Sequence, residues 1–188
     1  NYMGPLWVAS MQETFDNGVL SDNTSFNYHN AVIHRQGLGF RGFEKVTTTN
    51  LLNNHYSSRR INPLNYGIPV KDSTTVSEVL YQASASVASN KKLTIKVNRT
   101  TVTDKLRNTT RTVDYTYDSY NNLLTELVSF GGGISTLTSQ TYNNSAGTPY
   151  LLGVPLVKTV TRTRNGVSWI DKEEIQYYPN SLPKLKRT

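Results

Sequence analysis

Residues 111–118 read Arg-Thr-Val-Asp-Tyr-Thr-Tyr-Asp, and the apolar and polar positions of this stretch alternate. Successive side chains of a β-strand point to opposite faces, so Val113, Tyr115 and Tyr117 are expected to share one face. A strand with one apolar and one polar face is typical of an antiparallel sheet that buries one side. The same alternation recurs along the chain, as in residues 93–98 (LTIKVN). The pattern predicts an all-β protein.

Turn signals separate the alternating stretches. Asn165-Gly166 is the clearest of them, because both residue types tolerate the positive φ angles of a two-residue type I′ turn. Strand-like sequence lies on both sides, so residues 157–164 are predicted to pair with residues 167–176. Further turn signals are Asp16-Asn17-Gly18, Asn121-Asn122 and Gly131-Gly132-Gly133. Together they predict an antiparallel meander of β-hairpins.

Residues 75–90 admit two interpretations. Thr75 and Glu78 have the spacing of a helix capping box, and Val76, Leu80 and Val87 fit a helical stripe. The same residues also alternate as in a strand, and the Ser-Ala-Ser-Val run at residues 84–87 is a poor helix interior. A strand is favoured, and a helix stays open.

Composition excludes several classes of protein. The 188 residues suffice for one domain, or a section of a larger one, with a hydrophobic core. The absence of cysteine removes disulfide scaffolds, thiol catalysis and thiolate metal sites. The net charge of +7 is spread along the chain and is not interleaved with aromatic residues, so no nucleic-acid partner is expected. No apolar run has the length of about 20 residues that spans a bilayer.

The stretch Gly37-Leu38-Gly39-Phe40-Arg41-Gly42 formally matches the dinucleotide-binding pattern GxGxxG. That site needs a helix immediately after the glycines, because the helix N-terminus holds the pyrophosphate. The residues that follow here, 43–49, are β-branched and strand-like. No cofactor is therefore expected, and Gly37, Gly39 and Gly42 are interpreted as structural glycines at turns, bulges or close approaches of two strands.

No catalytic or metal-binding constellation stands out. His29, His34 and His55 do not have metal-site spacing, and the acidic run at residues 171–174 lacks the glycine and the alternating ligands of a calcium loop. No GxSxG motif is present. The sequence predicts no catalytic residue, no metal ligand and no enzyme. The twelve tyrosines and many asparagines of the chain are also compatible with a sugar-binding surface, because aromatic rings stack on sugars. The alternative interpretation is that the tyrosines fill half-buried faces of the sheet.

The stretch Tyr115-Thr116-Tyr117-Asp118-Ser119-Tyr120-Asn121-Asn122-Leu123 resembles the pattern YxYDxxGNL of the Rhs/YD-repeat family. The matching positions are Tyr115, Tyr117, Asp118, Asn122 and Leu123, and the first four are expected to be structural residues of the motif. Asn121 stands where the family usually has glycine, a change that a positive-φ turn position tolerates. Residues 27–43, with their Tyr-rich strand and GxGF motif, and residues 142–156, with an LxGxP motif, are similar to segments of Rhs-like and Tc-toxin B/C-like proteins, particularly those of Bacteroidetes.

The resemblance implies hairpins laid side by side in an extended curved sheet, which in large members forms part of a YD-repeat shell. It implies that residues 1–188 are a single region excerpted from a larger secreted or cell-surface protein. The expected partners are neighbouring YD repeats of the same polypeptide, together with either a glycan or an encapsulated polypeptide. The family's DPxG-type autoproteolytic signature is absent from the sequence. The expected function is a non-enzymatic structural module, and the alternative is a carbohydrate-binding surface module.

Overall fold

A computed structural model describes residues 7–34, 39–145, 151–178 and 182–188. Within these ranges the regular structure consists of thirteen β-strands, and there is no helix. The strands are β1 (Met11–Asp16), β2 (Val19–His34), β3 (Gly39–Asn50), β4 (Tyr56–Asn62), β5 (Ile68–Thr74), β6 (Ser77–Val87), β7 (Leu93–Asp104), β8 (Thr109–Tyr117), β9 (Leu123–Gly131), β10 (Ile134–Ser145), β11 (Leu151–Arg164), β12 (Val167–Tyr177) and β13 (Pro183–Arg187).

Within each of two units, the order of the strands in the sheet follows the order along the chain. The chain divides into two units, one made of Asn1–Val97 with Thr101–Thr109 and the other of Asn98–Thr100 with Thr110–Thr188. In the first unit β1 to β6 pair antiparallel with their neighbours, and in the second unit β8 to β13 do the same. The prediction of an all-β antiparallel meander is confirmed.

Two finer predictions are also confirmed. Strand β11 pairs with β12 from Arg164↔Val167 to Val157↔Glu174, so the Asn-Gly hairpin has the expected register. Residues 77–87 form strand β6, which rules out the helical interpretation of this segment. Strand β6 pairs with β5 through partners such as Asp72↔Val79. Pairing with a neighbouring strand thus outweighs the local capping-box signal.

Asparagine side chains and positive φ angles build many of the turns. Asn17, Asn108, Asn121 and Asn165 all have φ between 48° and 72°. Asparagine tolerates this left-handed region better than other residues that carry a Cβ. Side-chain oxygens also cap turns, as in the turn after β3, where Asn50 Oδ1 accepts the N–H of Leu52 at 2.9 Å. Asparagine is thus a recurrent turn residue in the described part of the chain.

The described residues bury few side chains. Among large apolar residues only Ile68 and Val113 are buried, at 8% and 6% exposure. Among the described residues, a chain long enough for a hydrophobic core therefore buries only a small one.

Strand β7 shows the consequence. The alternation in residues 93–98 predicts that Leu93 and Ile95 lie on the buried side. This is wrong, since both are 42% exposed while Thr94 and Lys96 are half-buried. Where so few side chains are buried, a side chain is shielded mainly by its cross-strand neighbours, so apolar character alone does not decide burial.

Candidate functional site

The YD motif forms the turn between β8 and β9, and Asp118 is the centre of its hydrogen bonds. Asp118 Oδ1 accepts the backbone N–H groups of Tyr120 at 2.9 Å and of Asn122 at 2.8 Å. The backbone closes the same turn, since the Asp118 N–H donates to the Asn122 carbonyl at 3.0 Å. An aspartate that binds the amides two and four residues ahead stabilises the tight return of the chain.

The second carboxylate oxygen of Asp118 reaches beyond its own hairpin. Asp118 Oδ2 accepts the side-chain N–H groups of Asn122 and of Asn144 on β10, each at 2.9 Å. Asn122 Nδ2 also donates to Asn144 Oδ1 at 3.0 Å. Asn144 Oδ1 in turn accepts the backbone N–H of Gly153 on β11 at 2.8 Å. These four residues, Asp118, Asn122, Asn144 and Gly153, form a network that we call the Asp118 hub.

The hub connects four consecutive strands of the second unit, β8 to β11. Gly153 has φ +71°, and a Cβ added to it would lie 2.8 Å from Asn122 Oδ1. Glycine is therefore needed at this position both for its backbone angle and for the close approach of Asn122. The glycine of the LxGxP motif and the asparagine of the YD motif meet in space, although they are distant in sequence.

Two tyrosines of the motif lie on β8, and a third tyrosine from outside the motif lies beside the hub on β10. Tyr115 and Tyr117 lie half-buried on β8, where they pair with Glu126 and Leu123 of β9. Tyr142 of β10 donates its hydroxyl to the Leu123 carbonyl at 2.8 Å, next to the hub. Burial raises the pKa of Tyr142, and the negative charge of Asp118 raises it further. A tyrosine that stays protonated serves here as a hydrogen-bond donor to the backbone.

The pKa of Asp118 follows from its surroundings. Burial alone would raise the pKa of this carboxyl group, but the hydrogen bonds from Asn122, from the Tyr120 amide and from Asn144 together lower it below its ordinary value. Hydrogen bonds to the charged form favour that form. Asp118 is therefore held as a carboxylate whose acceptor positions are taken by turn and strand donors.

Asn121, the departure from the family pattern, has φ +72°. We expect Asn121→Gly to change the free energy of unfolding by less than about 0.5 kcal/mol, because both residues accept this angle. Asn121→Val is expected to cost about 1–2 kcal/mol, because a β-branched residue clashes in the left-handed region. Urea unfolding of both variants checks this prediction, and equal stability of the valine variant would contradict the turn geometry.

The structure places two of the three glycines from the GxGxxG stretch. Gly37 lies outside the described residues. Gly39 begins β3 and pairs with His34. Gly42 has φ +105° and pairs with Val32 immediately beside a register shift between β2 and β3. Gly42 thus lies where the pairing of two strands becomes irregular. This placement agrees with its interpretation as a structural glycine at a bulge.

Several acidic side chains outside the hub are engaged in ion pairs. On β12, Asp171 pairs with Arg162 and Glu174 with Lys172. Asp114 of β8 lies 2.5 Å from Arg99. Within residues 7–34, 39–145, 151–178 and 182–188, no group of three or more histidine or acidic residues is placed to hold a metal ion. The same ranges contain no helix long and apolar enough to cross a membrane.

Sequence reasoning identified half of the hub. Asp118 and Asn122 belong to the recognised motif, whereas Asn144 and Gly153 were not predicted as site residues. The signal that could have found them is the LxGxP segment that follows Tyr142-Asn143-Asn144. The sequence shows that segment but not its contact with the YD turn, since Asn122 and Asn144 are 22 residues apart.

The fold, an all-β meander of hairpins, is distantly similar to an Rhs-like fold. A chain in the crystal structure of TcdB2-TccC3-Cdc42 superposes on 87% of this chain with a TM-score of 0.63 and 7% sequence identity. The superposed region covers 14% of that larger chain. No family model and no curated protein matches the sequence. At a sequence identity of 7%, this similarity concerns the fold alone.

Proposed function

We propose that this chain is a structural, non-enzymatic β-sheet module that forms part of the wall of an Rhs-like shell outside the cytoplasm. The observation that carries the proposal is the Asp118 hub, in which the YD motif is used to tie strands together. All four contacts of the Asp118 carboxylate are hydrogen bonds from the chain itself. A carboxylate saturated in this way stabilises structure and has no position left for a reacting group.

The low burial supports the same proposal. Large apolar side chains such as Phe15, Ile170 and Trp169 are 55% to 66% exposed. Exposed apolar surface of this kind is typical of a surface that another part of an assembly covers. The partners proposed for it are neighbouring repeats of the same polypeptide and a polypeptide enclosed by the shell. The fold similarity to a chain of the TcdB2-TccC3-Cdc42 structure is consistent with such a role.

Cryo-electron microscopy of the polypeptide that carries this chain, at its natural length, tests the proposal. We expect β1 and β13 to pair with strands from neighbouring repeats, so that the sheet continues in both directions. Open backbone edges of a long sheet are otherwise a site of aggregation. A separate, stand-alone domain with both edges facing solvent would contradict the wall proposal.

A carbohydrate-binding role is the alternative, and it can be tested on the isolated chain. Trp7 and Trp169 are 87% and 55% exposed, so their fluorescence would respond to a sugar that stacks on them. The structural proposal predicts no hits on a glycan array and no change in fluorescence on titration with polysaccharides. Saturable binding with a fluorescence change would favour the carbohydrate-binding module.

A further inference from the structure

Four basic side chains lie in one row across β2, β3, β4 and β5 of the first unit. His29 pairs with Lys45, Lys45 with Arg60, and Arg60 with Lys71. Directly paired residues of an antiparallel sheet project from the same face, with Cβ atoms about 4.5–5.5 Å apart. We call these four side chains the basic row.

The basic row opposes folding. Like charges placed directly opposite each other destabilise a sheet, and both Lys45↔Arg60 and Arg60↔Lys71 are such pairs. Two carboxylates offset part of the repulsion. Glu44 Oε1 accepts a hydrogen bond from Arg60 Nε at 2.9 Å, and Lys71 Nζ forms an ion pair with Glu78 Oε2 at 2.7 Å. An arrangement that costs stability and is only partly neutralised is typical of a functional surface.

Lys45, a member of the row, and Lys105, beside it, both lack a carboxylate partner among the described residues. Lys45 forms no ion pair within the part of the chain that the structure describes. Lys105 donates to the Tyr56 hydroxyl at 2.8 Å, to Ser73 Oγ at 2.9 Å and to the Thr74 carbonyl at 2.6 Å, and all three groups are neutral acceptors. The hydrogen bond from Lys105 lowers the pKa of Tyr56. Positive charge is therefore in excess on this face.

The basic row lines a concavity of about 620 Å³. Lys105 and the hydroxyl groups of Tyr56, Ser58 and Ser73 line it as well. Its volume lies within the range of ligand sites, about 300–1,000 Å³. Lysine and arginine outnumber glutamate in its lining by four to two. Hydrogen-bond donors and unpaired positive charges thus converge on one recess, which suits anionic groups.

We infer that the basic row binds an acidic segment of another polypeptide, a partner that the wall role alone does not require. The row crosses four strands and so spans about 14 Å at the usual strand spacing. Carboxylates at alternate positions of an extended peptide, i, i+2 and i+4, span about the same length. A sugar is disfavoured because Lys105 lies 5.2 Å from the centre of the Tyr56 ring and covers the aromatic face in this recess.

Fluorescence anisotropy with a labelled hexaglutamate peptide at low salt tests the inference, with a hexaglutamine peptide as the uncharged control. We expect the wild-type chain to bind hexaglutamate and not hexaglutamine. Lys45→Gln is expected to weaken binding by about fivefold or more. Lys92→Gln removes the same charge from the turn between β6 and β7 and is expected to leave affinity within about twofold of wild type.

Thermal unfolding of both variants separates binding from folding. Lys45→Gln should not lower the midpoint of thermal unfolding, because it removes the repulsion between Lys45 and Arg60 in the row. Equal losses of affinity in the Lys45 and Lys92 variants would show that the binding of hexaglutamate depends only on net charge. That result would overturn the inference. Failure of hexaglutamate to bind the folded wild-type chain would also overturn it. If polygalacturonate bound more tightly than hexaglutamate and lost affinity in the Lys45 variant, the ligand would be an acidic glycan. That result would contradict a polypeptide ligand.

Discussion

Replacement of Asp118 by alanine is expected to lower the midpoint of thermal unfolding by about 10 °C. The substitution removes the acceptor of four hydrogen bonds, from the amides of Tyr120 and Asn122 and from the side chains of Asn122 and Asn144. Donors that lose their acceptor in a half-buried site cost more than the mean value of a hydrogen bond. Circular dichroism at a β-sheet wavelength, followed during heating, measures the change.

Asp171→Ala is the matched control for Asp118→Ala. Asp171 is also an aspartate of the second unit, but its side chain is 70% exposed and forms a surface ion pair with Arg162. An exposed ion pair contributes little, so the midpoint should fall by no more than about 2 °C. Equal effects of the two substitutions would show that the hub has no special role in stability.

The same residue should also give a dependence of stability on pH. The pKa of Asp118 in the folded chain is lower than its ordinary value, and an unfolded aspartate titrates near about 3.9. Its stabilising contribution is therefore complete above that unfolded value and is lost as the pH falls through the lower, folded-state pKa. The difference in stability between wild type and Asp118→Asn should shrink below about pH 4. A constant difference from pH 7 to pH 2 would contradict the role of the charge.

Replacement of Gly153 by alanine is expected to lower the free energy of unfolding by about 2–4 kcal/mol. The backbone angle of Gly153, φ +71°, is strained for alanine, and the new methyl group would lie 2.8 Å from Asn122 Oδ1. Asn122 cannot easily move away, because its Nδ2 donates to both Asp118 and Asn144. Guanidinium unfolding monitored by fluorescence measures the loss.

Gly166→Ala separates the two causes. Gly166 has φ +81° in the turn between β11 and β12, and a Cβ added to it meets no atom within 4 Å. This variant carries the backbone strain without the clash, so we expect a loss of only about 1–2 kcal/mol. If the Gly166 variant were as unstable as the Gly153 variant, the contact between Gly153 and Asn122 would not matter to the fold.

Patterns of a few adjacent residues, namely alternation and turn residues, were sufficient to predict much of the fold. Alternation and the Asn-Gly turn predicted the β11–β12 hairpin with its register, because a two-residue turn fixes which residues oppose each other. Positive-φ turn chemistry predicted that asparagine could replace glycine at residue 121, and Asn121 has φ +72°. These features depend on a few adjacent residues, so the sequence displays them directly.

Features that depend on several strands could not be read in this way. The basic row exists because His29, Lys45, Arg60 and Lys71 come into register across four strands. That register depends on turn lengths and bulges, which alternation does not specify. The exposure of Leu93 was missed for a related reason, since burial depends on whether another layer covers the strand.

Hydrogen–deuterium exchange of wild type and Asp118→Ala, compared amide by amide, tests the central claim that the YD motif ties neighbouring strands together. The amides of Tyr120, Asn122 and Gly153 are hydrogen-bonded within the hub. We predict that all three are protected in wild type and that the substitution accelerates exchange at Gly153 on β11 together with the turn amides. Faster exchange confined to Tyr120 and Asn122, with Gly153 unchanged, would contradict the claim.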